Sequence, residues 1–288
     1  ELERRRKGLL AKAFTFSGLL LLTLGVILYA LSRFGGEAAT VGWYILAVLV
    51  LGSAAVLIFI ETLRNRSFYN DFKLRVIERI VKFVDDNMTY IAHKSILPNQ
   101  VVESRLFKVL ADKSIKKKFK GDDYVVGMLR GTNTKVEFSE VVAQERGSDG
   151  KGIFDTFKGL FFVAQVPHHF AGQTFVLPKG ESTDKLLLAG GAVPTEVPTG
   201  HPEFDNFFTI YSTHSTEARS LFSPELLQSL TDFRRTHSDK ARFSFVGNKI
   251  HAAFSHTKDL FEPKVFQSLL DFSIIQEYYD DIYQALSM

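Results

Sequence analysis

Two long apolar runs separated by a short turn limit what this chain can be. The first covers 13–31, where the only polar atoms are the hydroxyls of Thr15, Ser17, Thr23 and Tyr29. The second covers 41–60 and carries no charge at all. Each is about 20 residues, and a helix rising ~1.5 Å per residue then spans the ~30 Å hydrocarbon core of a bilayer. A lone strand there would leave its backbone groups unpaired, so helices are the form expected. The pattern predicts a two-helix transmembrane hairpin over 13–60. A hairpin buried in a soluble core fits less well, because buried helices seldom carry two uncharged runs of this length. A signal peptide fits the first run poorly, since the second follows at once as a stop.

Basic residues set the expected orientation. Arg4, Arg5, Arg6 and Lys7 precede the first run, and Arg64, Arg66, Lys73 and Arg75 follow the second. The loop 32–40 holds only Arg33, beside Glu37. Lys and Arg collect on the cytoplasmic side of membrane helices, so both termini are expected in the cytoplasm with a small loop outside. Trp43 and Tyr44 stand where an interfacial aromatic belt is expected. Gly18 and Gly25, with Gly52, Ser53, Ala54 and Ala55 in the second run, are small enough to let two backbones approach closely. No ionisable residue lies deep in either span. Such residues mark ion and proton paths, so the hairpin reads as an anchor more than as a transporter. Lys12 sits at the edge, within snorkelling reach of the headgroups.

The chain has 288 residues and a net charge of +3. Removing the hairpin leaves about 230 residues, enough for one sizeable domain or two small ones. The small excess of positive charge lies partly in the membrane flanks, which favours contact with anionic headgroups over nucleic acid. There is no cysteine, so disulfides, thiolate nucleophiles and cysteine-ligated zinc are excluded. Phe is abundant, at 27, against one Trp and three Met. The sequence opens on Glu1 where a start methionine would stand, which reads as a processed or shortened product.

Residues 61–93 read as a helix continuing from the bilayer. Phe68, Phe72, Val76, Ile80, Phe83 and Val84 recur at the helical period, widened by Ile77, Val81, Met88 and Ile91. That stripe is broader than a heptad seam, so it suits packing on its own domain better than an oligomerising stalk. Pro98 breaks the helix, and 101–110 is a short amphipathic piece. Lys113, Lys116, Lys117, Lys118 and Lys120 then cluster against Asp112. Each lysine near an anionic leaflet is worth roughly 1 kcal/mol, so the cluster is a candidate anionic-lipid contact. The plainer reading is a solvated face.

From Gly121 the period changes to two. Residues 124–130 and 134–143 form an expected hairpin around Gly131-Thr132-Asn133. The run 154–166, with Phe157, Leu160, Phe161, Phe162 and Val163, is a strand too apolar to be exposed. Short strands are expected at 174–177, 185–188 and 207–211, with a loop over 190–202 rich in Gly and Pro. Ser223-Pro224-Glu225 combines a capping hydroxyl, a first-turn proline and an acid favoured by the helix dipole, opening a helix to about Arg235. Residues 242–246 and 249–254 flank the two-residue turn Gly247-Asn248, with Phe243 and Phe245 matched to Ile250, Ala252 and Phe254. Pro263 opens a last helix faced by Phe266, Leu269, Leu270, Ile274, Tyr278 and Ile282. With no regular strand–helix alternation, the fold class is α+β: a mostly antiparallel sheet with flanking helices over 94–288, behind a basic N-terminus (1–12), the hairpin and the juxtamembrane helix.

Catalytic signatures are missing. Gly147-Ser148-Asp149-Gly150-Lys151-Gly152 lacks the spacing of a phosphate-binding loop, and no Ser or Thr follows its lysine. There is no G-x-S-x-G elbow and no H-E-x-x-H. His168-His169 is the most ligand-like pair, but neighbours on a strand point to opposite faces. His214, His237, His251 and His256 are further candidates for an assembled histidine site. Asp122-Asp123 reads as a strand start, or as a cation ligand pair. No catalytic, cofactor or metal residue is assigned.

Lys120-Gly121-Asp122-Asp123-Tyr124, Phe138-Ser139-Glu140-Val141, and Phe154 with Phe157-Lys158-Gly159-Leu160-Phe161-Phe162 follow one another in order. Pro202-Glu203-Phe204, Phe207-Phe208, Tyr211-Ser212, Glu217-Ala218-Arg219 and Asp259-Leu260-Phe261-Glu262-Pro263 extend the set. Across about 97–286 these ordered motifs resemble a bacterial family of unknown function, DUF3137. The resemblance implies a bacterial inner-membrane protein with an N-terminal hairpin and a cytoplasmic domain, and it implies no activity. Glu203, Glu217, Arg219 and Glu262 are its polar motif residues, suited to a site or to capping and charge pairing. The combined reading is a membrane-anchored binding or scaffold module, non-enzymatic, without a cofactor. Its expected partners are the bilayer and a protein or second copy of itself, not nucleic acid. A membrane-associated hydrolase and a pore or transporter subunit are the alternatives.

Overall fold

The computed structural model describes residues 1–34, 39–63, 65–111, 117–146, 153–188, 192–236, 240–256 and 259–287. They form two compact units, one of residues 1–77 with 261–280 and one of 78–260 with 281–288.

In the first unit the apolar runs become α1 (Leu2–Phe34) and α2 (Ala39–Leu63). Two helices among the described residues are long and apolar enough to cross a membrane. They pack antiparallel: the Phe14 and Phe59 rings meet edge-on at 5.3 Å, and Ser17 Oγ donates to the Ala55 carbonyl at 3.1 Å. Ala13 and Ala55 are buried at this seam. The expected glycines do not make it, because a Cβ at Gly18, Gly25 or Gly52 would meet nothing within 4 Å. The side chains of Trp43 and Tyr44 lie outside the described set. Arg6 is buried, clamped by both oxygens of Glu3 at 2.8 and 2.7 Å and donating to the Val265 carbonyl at 2.8 Å. One of the flanking arginines is therefore used inside the unit.

After α2 the chain restarts at Asn65, whose Oδ1 accepts from the Phe68 amide at 3.0 Å and caps α3 (Arg66–Phe72). A π-helical turn, Lys73–Ile77, follows, and Phe68, Phe72 and Ile77 point inward. Lys73 is buried and pairs with Glu262 at 2.9 Å.

The second unit begins with α4 (Glu78–Val84). The helix expected through His93 ends here. Asp85 Oδ1 accepts the Asn87 amide at 2.9 Å, a side-chain turn that stops the helix and feeds β1 (Met88–Ile91). Met88 and Tyr90 are buried and their neighbours exposed, a period of two that the wide helical stripe had masked. Two short helices follow, α5 (Pro98–Glu103) and α6 (Lys108–Ala111).

The sheet adds β2 (Lys117–Met128), β3 (Lys135–Arg146), β4 (Ile153–Gln165), β5 (Gln173–Pro178), β6 (Thr195–Glu196), β7 (Phe208–Ser212), β8 (Lys240–Val246) and β9 (Lys249–Ser255). Its order is β1-β2-β3-β4-β9-β8-β5-β7-β6, and among the described residues every pair is antiparallel. The α+β class follows. Both expected hairpins form, Met128 pairing with Lys135 and Val246 with Lys249. Gly247 has φ +65°, the left-handed value such a turn asks of its glycine. No strand forms at 185–188; the Thr183–Lys185 segment is a 3-10 turn, with Ser182 Oγ donating to Asp184 at 2.9 Å.

β4 runs through the middle, and Leu160, Phe161, Phe162 and Val163 are all buried, so both faces of the sheet are covered. On one face Phe161 joins Phe107, Phe157, Phe175 and Val141. On the other, Phe162 stacks on Phe138 at 4.6 Å and meets Phe254 at 5.5 Å. There Phe254 also takes Phe233 of α9 (numbering α7, Pro202–Phe207; α8, Ser215–Leu221; α9, Pro224–Thr236) at 5.2 Å. Gly159 admits no other residue: its φ is +152°, and a Cβ would lie 1.9 Å from the Phe254 carbonyl oxygen. The last helix, α10 (Phe272–Ser287), starts later than Pro263, at Asp271, whose Oδ1 accepts the Ser273 amide at 3.0 Å.

Candidate functional site

A cavity of about 660 Å³ opens on the sheet unit between α6, the 3-10 turn and the ends of β3 and β4. Sequence reasoning missed it, because its walls come from segments distant in the chain. Leu106, Phe107, Leu177, Leu186 and Leu187 make its apolar surface. The Leu187 amide donates to the Arg105 carbonyl at 2.8 Å, tying the 3-10 segment to the α5–α6 connection. Arg242 of β8 clamps Glu181 with two bonds of 2.8 Å and lies 5.9 Å from the Phe107 ring centre. Gln144 holds Asp155 at 2.8 Å. Lys108 and Lys185 are exposed at the rim. Thr156 Oγ1 is a buried hydroxyl oxygen without a hydrogen-bond partner on this wall. Apolar walls with a few fixed polar groups are what a small-molecule cavity needs. The charged groups paired here suit recognition better than proton transfer.

A second cluster lies elsewhere on the sheet. Asp122 of β2 is directly opposite Glu140 of β3, and the register breaks between Asp122 and Val125. Asp123 sits in that bulge at φ +57°, fully buried, accepting from the Tyr90 hydroxyl. Glu140 is 5 % exposed. Burial pushes its carboxyl up to about 8, helped by the charges of Asp122, Asp123 and Asp259 and opposed by a bond from the Leu260 amide. Lys158 pairs with Asp259 at 2.9 Å.

Among the described residues the histidines do not assemble into one site. His168 and His169 follow the end of β4 in a bend, not on a strand. His168 Nε2 lies 3.5 Å from Glu217, and His214 Nδ1 accepts the Glu217 amide at 3.2 Å to cap α8. Glu217 itself accepts from the Ala171 and Gly172 amides at 2.8 and 3.0 Å. His251 is buried on β9 beside Ser244, its Nδ1 3.3 Å from the hydroxyl, and burial pushes it down to about 4. His201 caps α7, and His237 lies outside the described residues.

The polar motif residues mostly serve the fold. Glu203 pairs with Arg235 at 2.9 Å, Glu217 joins α8 to the loop before β5, and Glu262 pairs with Lys73, while Arg219 is exposed. Of the lysine cluster, Lys113 and Lys116 lie outside the described residues. Lys117, Lys118 and Lys120 belong to β2, which starts earlier than its period-two pattern indicates. The glycine-rich segment 147–152 also lies outside the described residues.

Comparison with solved structures finds the mycobacterial trehalose monomycolate transport factor A, TtfA, at 12% identity and a TM-score of 0.35, covering 72% of this chain and 94% of that one. No curated protein matches. Residues 155–288 match the family described as "Protein of unknown function (DUF3137)".

Proposed function

We propose that the protein is a membrane-anchored binding module: α1 and α2 hold it in a bacterial inner membrane, both termini face the cytoplasm, and the sheet unit binds a ligand in its 660 Å³ cavity. The observation that carries the anchor is the outer surface of the helical pair. Leu19, Leu22, Val26, Leu49 and Leu57 are 60, 69, 67, 63 and 65 % exposed. An apolar belt of this kind is unfavourable in water and favourable in hydrocarbon. The cavity has apolar walls and paired charges, which supports binding without turnover. Lys113, Lys116, Lys117, Lys118 and Lys120 are proposed to touch anionic headgroups, and a protein partner or second copy is proposed to complete the assembly.

Alkaline carbonate washing of membranes tests the anchor. The full chain is expected to stay in the pellet, and release into the supernatant overturns the reading. Protease added outside intact cells is expected to spare the sheet unit. Native mass spectrometry of the detergent-purified chain tests the cavity: a bound small molecule is expected, and it should be lost when Leu186→Trp fills the space.

A further inference from the structure

We propose that residues 264–271 form a second membrane contact, with Phe266 and Leu270 entering the boundary between headgroups and hydrocarbon on the cytoplasmic side. This rests on the reading of α1 and α2 as an anchor, and adds to it a piece drawn from near the other end of the sequence. Phe266, Leu269 and Leu270 read as one face of a helix opened by Pro263, but α10 starts only at Phe272. Before it stand two successive turns. The Gln267 amide closes the first on the Lys264 carbonyl at 2.9 Å, and the Asp271 amide closes the second on the Ser268 carbonyl at 3.1 Å. Each turn sends its second residue inward and its third outward. Val265 is buried with Leu9 and Phe68, and Leu269 packs against that cluster. Phe266 and Leu270 are 67 and 78 % exposed.

What covers the outward pair follows from its place beside the helical pair. The segment belongs to the same unit as α1 and α2. The Phe266 ring stacks on Phe59 of α2 at 6.3 Å, and Phe59 meets the exposed Phe14 of α1. Phe59 ends the second apolar run and Phe14 begins the first, so Phe266 stands level with one end of both spans and continues their apolar surface. The proposed topology puts that end in the cytoplasm. The turns are also held in place. Arg6 donates to the Val265 carbonyl at 2.8 Å, the Leu269 amide donates to Glu3 at 3.0 Å, and Glu3 and Arg6 clamp each other. Turning the segment over would break both backbone bonds. An outward Phe and Leu fixed this way are unfavourable in water. At a bilayer surface, apolar side chains enter ~5–10 Å into the headgroup–acyl boundary while the polar groups beside them stay outside.

The chain has no cysteine, so a single introduced thiol takes a dye at one place only. Phe266→Cys, Leu270→Cys and, to mark the span itself, Val26→Cys each carry an environment-sensitive fluorophore on the full chain, in vesicles of phosphatidylethanolamine and phosphatidylglycerol. The quenchers are nitroxide-labelled lipid and iodide present on both sides of the vesicle. At 266 and 270, nitroxide placed high on the acyl chain is expected to cut emission by about half, with little effect of iodide. At 26, nitroxide placed deep on the chain is expected to quench. Lipid quenching at 26 with 266 and 270 reached by iodide instead overturns this inference and leaves the anchor standing. Shielding of 266 and 270 from both quenchers means that protein covers them, a second copy or a partner, and also overturns it. No lipid quenching at 26 overturns the anchor reading and this inference with it. If Phe266→Cys does not reconstitute, Leu270→Cys, at the more exposed position, decides alone.

Discussion

The helical pair and the sheet unit use the same kinds of side chain in opposite ways. Leu22 and Leu57 of α1 and α2 stand 69 and 65 % exposed, while Phe138, Phe161 and Phe175 of the sheet are fully buried. The sheet hides apolar surface against itself. Among the described side chains the helices meet at a thin seam, Ala13 with Ala55 and Phe14 with Phe59, and present many others outward. Hydrophobic residues drive burial only relative to a solvent, and on the proposed reading the helical pair faces lipid while the sheet unit faces water.

The largest effect expected from this contrast is in the sheet. Phe161→Ala empties a site in the core shared with Phe107, Phe157 and Phe175 and should cost ~3–5 kcal/mol of sheet stability, whereas Leu22→Ala should change it by less than ~0.5 kcal/mol. Thermal unfolding of both variants in detergent checks this, and equal losses would break the comparison. Next is the membrane side. Val26→Lys should cost ~2.5–3.5 kcal/mol of insertion, read as the fraction resisting carbonate extraction; unchanged extraction would argue that α1 does not sit in lipid.

A smaller effect comes from His251. Its folded value, about 4, lies below the ordinary 6.5, so the folded state binds fewer protons than the unfolded one between these limits. Stability is then fully present above pH 6.5 and is lost as pH falls toward 4, on the order of 3 kcal/mol. His251→Gln should flatten that slope in a pH series of melting temperatures, and a slope that persists would assign the acid loss to other groups. Smallest is the cap on α8: His214→Ala should cost about 1 kcal/mol, seen as faster amide exchange at 215–218.

Local chemistry made parts of the fold legible. Gly247-Asn248 announced the β8–β9 hairpin, Ser223-Pro224-Glu225 announced α9, and the unbroken apolar run announced β4 as an interior strand. Several elements escaped, β6 among them, because 190–202 reads as a loop. β1 was hidden in a helical stripe, because Met88 and Ile91 fit both periods. α7 and α8 are capped by histidines, His201 and His214, which are unusual capping residues. The start of α10 was drawn to Pro263, although Asp271 supplies the cap. The cavity and Glu140 were out of reach for a different reason. Nothing near Glu140 in the chain marks it as buried; its register with Asp122 does.

The sequence by itself determined the two apolar helices, the α+β class and the likeness to a family model over 155–288, because length, period and motif order are properties of the chain alone. Tertiary structure decided which small residues make the helical seam, which arginine is used internally, where the cavity opens and which carboxylates face one another. Those outcomes depend on strand register and on side chains meeting across long stretches of chain. Folding a bulge into β2 moved Asp123 out of the alternation a strand imposes, and no local pattern encodes that shift.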